Sequence, residues 1–144
     1  MTTTDTPGTL REVIELETHA NWTAADIGDP DDWTLRLTDA HHVELDDALA
    51  HARSTTDDLL DVTAQDFPLP TLGPLVATMA AELVSGRGFA RIAALDVVRL
   101  GAEDASWIYW GIGRHLGEPW PQNAKGHLLG DVKDQGKAPD DPTA

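Results

Sequence analysis

From Leu72 to Val84 the apolar residues Leu72, Leu75, Val76, Met79, Ala80, Leu83 and Val84 recur at helical spacing, at i, i+3, i+4, i+7, i+8, i+11 and i+12. Only a helix gathers such positions into one stripe, and a stripe of this kind needs an apolar partner to bury it. Gly86 and Gly88 end the pattern, as glycines do past a helix C-terminus. The chain is therefore expected to be globular around at least one packed helix.

Other segments fill in around it. Leu10 to Glu17 has helical spacing after a loose start. "WTLRL" (Trp33 to Leu37) alternates apolar and polar residues and predicts a short strand. Thr38 or Asp39 then caps a helix running to about Arg53, with acidic residues early and Arg53 late, which suits the helix dipole. "STTDDLLDVTAQDFPLP" reads as a connector with one short amphipathic turn. "FARIAALDVVRL" is rich in β-branched residues and predicts one or two strands. "GAEDASWIYWGIGRHLGEP" predicts a helix with Glu103 and Asp104 in its first turn and Arg114 and His115 in its last, stopped by Gly117 and Pro119. "HLLGDV" predicts a final strand, and the Pro/Asp-rich tail that follows predicts no ordered element. The divisions that result are an N-terminal extension over 1–32, a domain over 33–132 and the tail over 133–144.

Charge narrows the partners. The 144 residues carry 25 acidic against 10 basic side chains, a formal charge of −15. Phosphate backbones and anionic membrane faces both require a basic surface, so neither nucleic acid nor a membrane is expected. There is no cysteine, which excludes disulfides, thiolate zinc sites and a cysteine nucleophile. "MTTTDTPGTLREVIELE" has neither a basic n-region nor an apolar h-region, so it does not read as a signal peptide. No apolar run approaches the roughly 18 residues of a membrane span. A cytoplasmic protein is expected.

Few residues offer chemistry. "HHVELDD" contains His42 and Glu44 in the His-x-acid spacing of a two-histidine, one-carboxylate iron site, and His115 or His127 could supply a distant histidine. On a helix, however, positions two apart point about 200° from each other, whereas a metal-binding pair of this spacing belongs on a strand. No catalytic or metal-ligating residue is therefore assigned. Ser54, Ser85 and Ser106 lie in no nucleophile pattern. Gly111, Gly113 and Gly117 miss the dinucleotide-loop spacing and sit inside a helix pattern, so close packing is their simpler role. Ala105, Ile108, Tyr109, Ile112 and Leu116 form an apolar stripe with Trp107 and Trp110 off its centre. That helix is expected to be the most buried element of the chain. In "WPQNAKG", Pro119 and Pro121 extend the backbone ahead of Gln122 and Asn123. Those amides with Lys125 suit either a ligand's polar groups or their own turn.

Two segments, "FPLPTLGPLVATMAAELVSGRGFARIAALDVVRL" and "ASWIYWGIGRHLGEPWPQNAKGHLLGDVKDQGK", resemble the N-terminal part of the TauD/TfdA-like (taurine dioxygenase-like) family. The resemblance runs from about Trp33 to the C-terminus. The Gly86–Ile92 element and "GRHLGEPWPQN" carry it. It implies a clavaminate synthase-like double-stranded β-helix (jelly-roll) oxygenase that uses iron(II) and 2-oxoglutarate to hydroxylate a small organic substrate. In that family a His-x-Asp pair, a distant His and an Arg hold the iron and 2-oxoglutarate, and all of them follow the segment matched here. By position the resemblance carries over only a substrate-pocket lining at Gln122, Asn123 and Lys125.

The expectation is thus an α+β fold, with helices packed on a small incomplete sheet, forming the front part of a jelly roll that this chain cannot close. A jelly roll needs about eight strands, and the sequence offers three or four. Neither iron(II) nor 2-oxoglutarate is expected to bind the chain alone, which is then inactive as an enzyme. A homo-oligomer or a C-terminal half is a possible partner. Two rivals are an acidic interaction module docking through Trp107, Trp110 and Trp120, and a small metalloenzyme using His42, Glu44 and His115 or His127.

Overall fold

Thr38 opens the first helix. In the computed structural model, which describes residues 21–121 and 123–130, the extended Thr38 precedes α1 (Asp39–Thr55). Its hydroxyl accepts from the His41 N–H at 3.4 Å, and its own N–H donates to His41 Nδ1 at 3.2 Å. This is a capping box with histidine in the place usually held by Glu or Gln. Leu45, Ala48, Leu49 and Ala52 are the buried face of α1. The expected helix at Leu10 to Glu17 and the tail lie outside the described residues.

The second helix, α2 (Leu72–Ser85), spans the periodic segment and ends at Gly86. Its burial is narrower than its stripe. Leu72 and Val76 are fully buried, while Leu75 and Leu83 are partly exposed and Val84 is almost wholly so. A stripe specifies which face wants cover; neighbouring elements decide how much of it receives cover.

The strands flank these two helices in sequence and pair as a two-stranded parallel sheet, β1 (Thr34–Arg36) beside β2 (Arg91–Ala93), with Leu35 opposite Ile92. "FARIAALDVVRL" therefore holds one strand, and its second half is helical, because Asp96 accepts a hydrogen bond from the Arg99 N–H at 3.0 Å. That side-chain cap starts α3 (Val97–Leu116) and overrides the strand preference of Val97 and Val98. Gly101, at φ 71° and ψ 175°, interrupts α3 after its first turn, in a region open in practice only to glycine. The predicted final strand does not form at His127 to Gly130, which have no paired neighbour among the described residues; Asp131 and Val132 lie outside them.

The core joins all three helices to the connector between α1 and α2. Phe67 and Ile108 are fully buried in it. α3 contributes six buried residues against four from α1 and two from α2, so it is the most buried helix, as its composition predicted. The buried face is turned from the expected stripe, however. Trp107, Trp110 and Gly111 face inward, while Tyr109 is 68% exposed and Leu116 half-exposed. Gly111 accommodates the turn, because a Cβ there would press on three atoms of the Phe67 ring, closer than van der Waals contact permits. The missing side chain lets α3 close onto Phe67 at this position. Gly113 and Gly117 meet nothing within 4 Å, so close packing accounts for one of the three glycines.

Long polar side chains tie the helices together. Arg53 of α1 reaches Glu103 at 3.0 Å and Asp104 at 2.7 Å on α3, with its guanidinium 5.3 Å from the Trp107 ring centre. His42 Nε2 lies 2.8 Å from the carbonyl oxygen of Ala94, which turns out of β2 at φ 68°. At the start of the sheet, Trp22 and Trp33 both pack edge-on against Phe89. The result is α+β, three helices and a parallel pair of strands that does not close among the described residues.

Candidate functional site

Where the stripe of α2 runs out of cover, the surface opens. A cleft of about 640 Å³ lies between the C-terminal halves of α2 and α3, β2, and the loop after α3. Met79 and Leu83 form one wall, Ile92 and Leu95 the floor, Ile112 and Leu116 the opposite wall, and Trp120, Leu128 and Leu129 the rim. The lining is aliphatic and aromatic, the usual composition of a cleft that accepts apolar surface.

Its polar groups are few and mostly engaged. Arg114 donates through both terminal nitrogens to Glu118 Oε2, at 3.0 and 3.1 Å, and also reaches the Gly117 carbonyl at 3.4 Å. This clamp holds the chain as it leaves α3 and aims Pro119 and Trp120 across the cleft. Trp120 and Tyr109 are the exposed aromatics at the mouth.

Two of the three predicted substrate-binding residues, Asn123 and Lys125, sit in the turn between two parts of that rim. Asn123 Oδ1 accepts from the Lys125 N–H at 3.0 Å and the His127 N–H at 3.3 Å, and its Nδ2 lies 3.1 Å from His127 Nδ1. Gly126 closes the turn, donating to the Asn123 carbonyl at 3.0 Å with φ 81°. The Asn123 amide thus organises its own backbone, and Lys125 is exposed. Neither residue lines the cleft, though Trp120 before them and Leu128 after them do. Gln122 lies outside the described residues.

The residues of the iron-site rival go separate ways. His42 bonds to Ala94 and Glu44 to Thr71 and Leu72, as a two-residue step on a helix requires. His115 Nε2 is 2.7 Å from the Phe67 carbonyl oxygen, and His127 belongs to the Asn123 turn. Among the described residues no three His, Asp or Glu side chains are placed to hold a metal ion. Trp107 and Trp110 are core residues, Trp110 donating to the Val62 carbonyl at 3.3 Å. Of the three tryptophans assigned to docking, only Trp120 is on the surface.

Glu44 has a role that the sequence reading did not give it, holding the start of α2. Partial desolvation pushes its carboxyl up, but hydrogen bonds from Thr71 and Leu72 and the field of His41 outweigh it. The group therefore sits below the ordinary carboxylate value. Nothing in "HHVELDD" marks this role, because its partners lie 27 and 28 positions away.

Comparison with known proteins adds one likeness. The chain is 26% identical over 116 residues, 81% of its length, to FR-33289 synthase of Streptomyces rubellomurinus (strain ATCC 31215). A stretch of that length takes in both strands and all three helices wherever in the chain it starts. The matched chain spans about a third of that relative, 34%. No family model matches the sequence. No helix among the described residues is long and apolar enough to cross a membrane.

Proposed function

We propose that this chain is the N-terminal portion of a TauD/TfdA-like enzyme of the cytoplasm, a non-haem iron(II) and 2-oxoglutarate-dependent dioxygenase that hydroxylates a small organic substrate. The observation that carries the reading is the similarity to FR-33289 synthase through the whole β1-to-α3 frame. The resemblance of "GRHLGEPWPQN" to the family supplies the oxygenase class. The small unclosed α+β frame is compatible with a segment that precedes a jelly roll, although its two strands are parallel and those of a jelly roll are antiparallel.

In this reading the cleft and the Pro119–His127 loop form part of the wall around the substrate, with Gln122, Asn123 and Lys125 as its polar contacts. The described residues do not fit an iron centre, since His42, Glu44, His115 and His127 each serve a different neighbourhood. The ligands for iron and 2-oxoglutarate belong to the rest of the longer enzyme, and no step of that chemistry is assigned to this chain. Alone it is inactive.

Two measurements test this. The first is to read the coding sequence around the gene, where a His-x-Asp preceded by an Arg-Gly-Tyr-like stretch is expected in a downstream frame. The second is an anaerobic titration of the purified chain with iron(II) and 2-oxoglutarate, following the metal-to-ligand charge-transfer band and succinate. Neither signal is expected. A one-to-one chromophore that disappears in His42→Ala would overturn the reading in favour of a small metalloenzyme.

A further inference from the structure

The register of the sheet decides which backbone groups face outward. The Leu37 N–H donates to the Ala93 carbonyl at 3.0 Å, so the peptide groups of Ala93 face β1. Peptide groups alternate sides along a strand, and those of Ile92, one residue earlier, face away. Among the described residues no third strand and no hydrogen bond meets them. The cleft lies on this same side, since Ala90, Ile92 and Leu95 line it and no residue of β1 does. Two parallel strands of three residues each do not make a stable sheet by themselves. An open edge beside an apolar cleft is a template for another strand.

Charge and length argue for the occupant. Of the charged side chains only Arg114 and Glu118 line the cleft, and they pair with each other. In a chain of net charge −15 the cleft therefore has no acidic excess of its own. A second copy would bring a further −15 toward the first, a repulsion that salt screens only in part. The match to FR-33289 synthase leaves about two thirds of that protein without a counterpart.

We propose that the outer edge of β2 and the adjoining cleft are the docking surface for the polypeptide corresponding to that unmatched two thirds. It is received as a strand paired with the main chain of Ile92, its alternate apolar side chains entering between Leu83 and Leu116. Tyr109 and Trp120 close over it at the mouth. The identity of the occupant rests on the oxygenase reading; the location of the surface rests on the sheet and the cleft.

The test uses the full chain and, as probe, the polypeptide of FR-33289 synthase lying outside the matched residues, co-expressed with it. Alone, the chain is expected to run as a 15.5 kDa monomer, to bind an apolar-surface dye, and to exchange the Ile92 amide quickly. With the probe, a one-to-one complex is expected, with the Ile92 amide slowed by about 100-fold, the dye displaced and Trp120 emission shifted to the blue. Ile92→Pro removes the outward N–H while sparing the bonds to β1, and Trp120→Asp alters an exposed position; each is expected to weaken capture by about tenfold or more. If Ile92→Pro does not fold, Trp120→Asp and the exchange data decide. Failure to form the complex, a dimer of this chain with Ile92 protected, or a complex that leaves Ile92 exchanging freely overturns the proposal. A complex that protects Ile92 yet forms no succinate from 2-oxoglutarate keeps the docking surface and counts against the oxygenase reading. A downstream His-x-Asp with no protection of Ile92 does the reverse.

Discussion

The side chain of Glu44, in the middle of α1, caps the helix that begins at Leu72. Its Oε1 accepts from the N–H groups of Thr71 at 2.8 Å and Leu72 at 3.0 Å, and its Oε2 accepts from the Thr71 hydroxyl. Thr71 stands at the N-cap position but makes no capping bond with its own side chain, because its hydroxyl donates to Glu44. A negative charge at the positive end of α2 adds a favourable dipole contact. Glu44→Ala should therefore lower stability by about 1–2 kcal/mol, the usual loss for a cap. Urea unfolding would measure it, and no change in midpoint would show the contact to be incidental.

The same carboxylate sets an acid limit. Its pKa is held below the ordinary 4.5, so the folded state favours the charged form. That contribution is complete above the unfolded value and is lost as pH falls through the lower folded value. Asp26 and Asp66 are also lowered, chiefly by side-chain hydrogen bonds from Thr23 and Thr63, so all three act in one window. Glu44→Gln keeps an acceptor and removes the titration. Comparing melting temperatures from neutral pH down to about 3, the gap between wild type and Glu44→Gln should narrow as acid is added. A gap that stays constant would rule out the lowered carboxyl.

Gly111 and Phe67 make a steric test. Gly111→Ala drives a methyl group into the Phe67 ring and should cost about 1–3 kcal/mol or more, as overpacking does. Phe67→Leu removes the ring, so in that background the penalty of Gly111→Ala should shrink. Additive losses would mean that the close approach is not what Gly111 provides.

The two other glycines of α3 should respond in opposite directions. Gly101→Ala places a side chain at φ 71° and should lose about 1–3 kcal/mol to backbone strain. Gly113 is helical with open space around it, so Gly113→Ala should gain about 0.5–1 kcal/mol from the lower entropy of the unfolded chain. Thermal melts of both variants read the contrast, and equal signs would contradict the break at Gly101.

Trp107→Ala removes a buried ring and should cost about 3–5 kcal/mol. Part of that loss couples to Arg53, which lies over the ring. In a double-mutant cycle with Arg53→Ala the coupling should be about 0.5–1 kcal/mol at this partly exposed site. A Trp107→Ala cost near zero would put the residue on the surface and revive the docking rival.

Local signals were legible because they act within a turn of helix. Thr38 marked the start of α1, Gly86 the end of α2, and the aromatic content of "SWIYWGI" the buried helix. "DVVRL" was misread because β-branched residues outweighed a single Asp cap on paper, whereas in the folded chain Asp96 supplies the bond that starts α3. The site was less legible than the fold. The pattern around Gln122, Asn123 and Lys125 left a ligand contact and a turn role equally open, and the nearby cleft draws on α2, β2 and α3 together, which no local pattern encodes.

By itself the sequence determined the helices, the acidic surface, the shortage of strands and the likeness to a longer enzyme, because each depends on residue type at short spacing. Tertiary structure alone decided that Glu44 caps α2, that α3 turns Tyr109 outward and Gly111 onto Phe67, and that Ile92 presents an unmet edge beside an apolar cleft. Those relations join positions from 27 to more than 50 residues apart. Local periodicity cannot encode them; they follow from which surfaces are left to meet once every helix has buried its own apolar face.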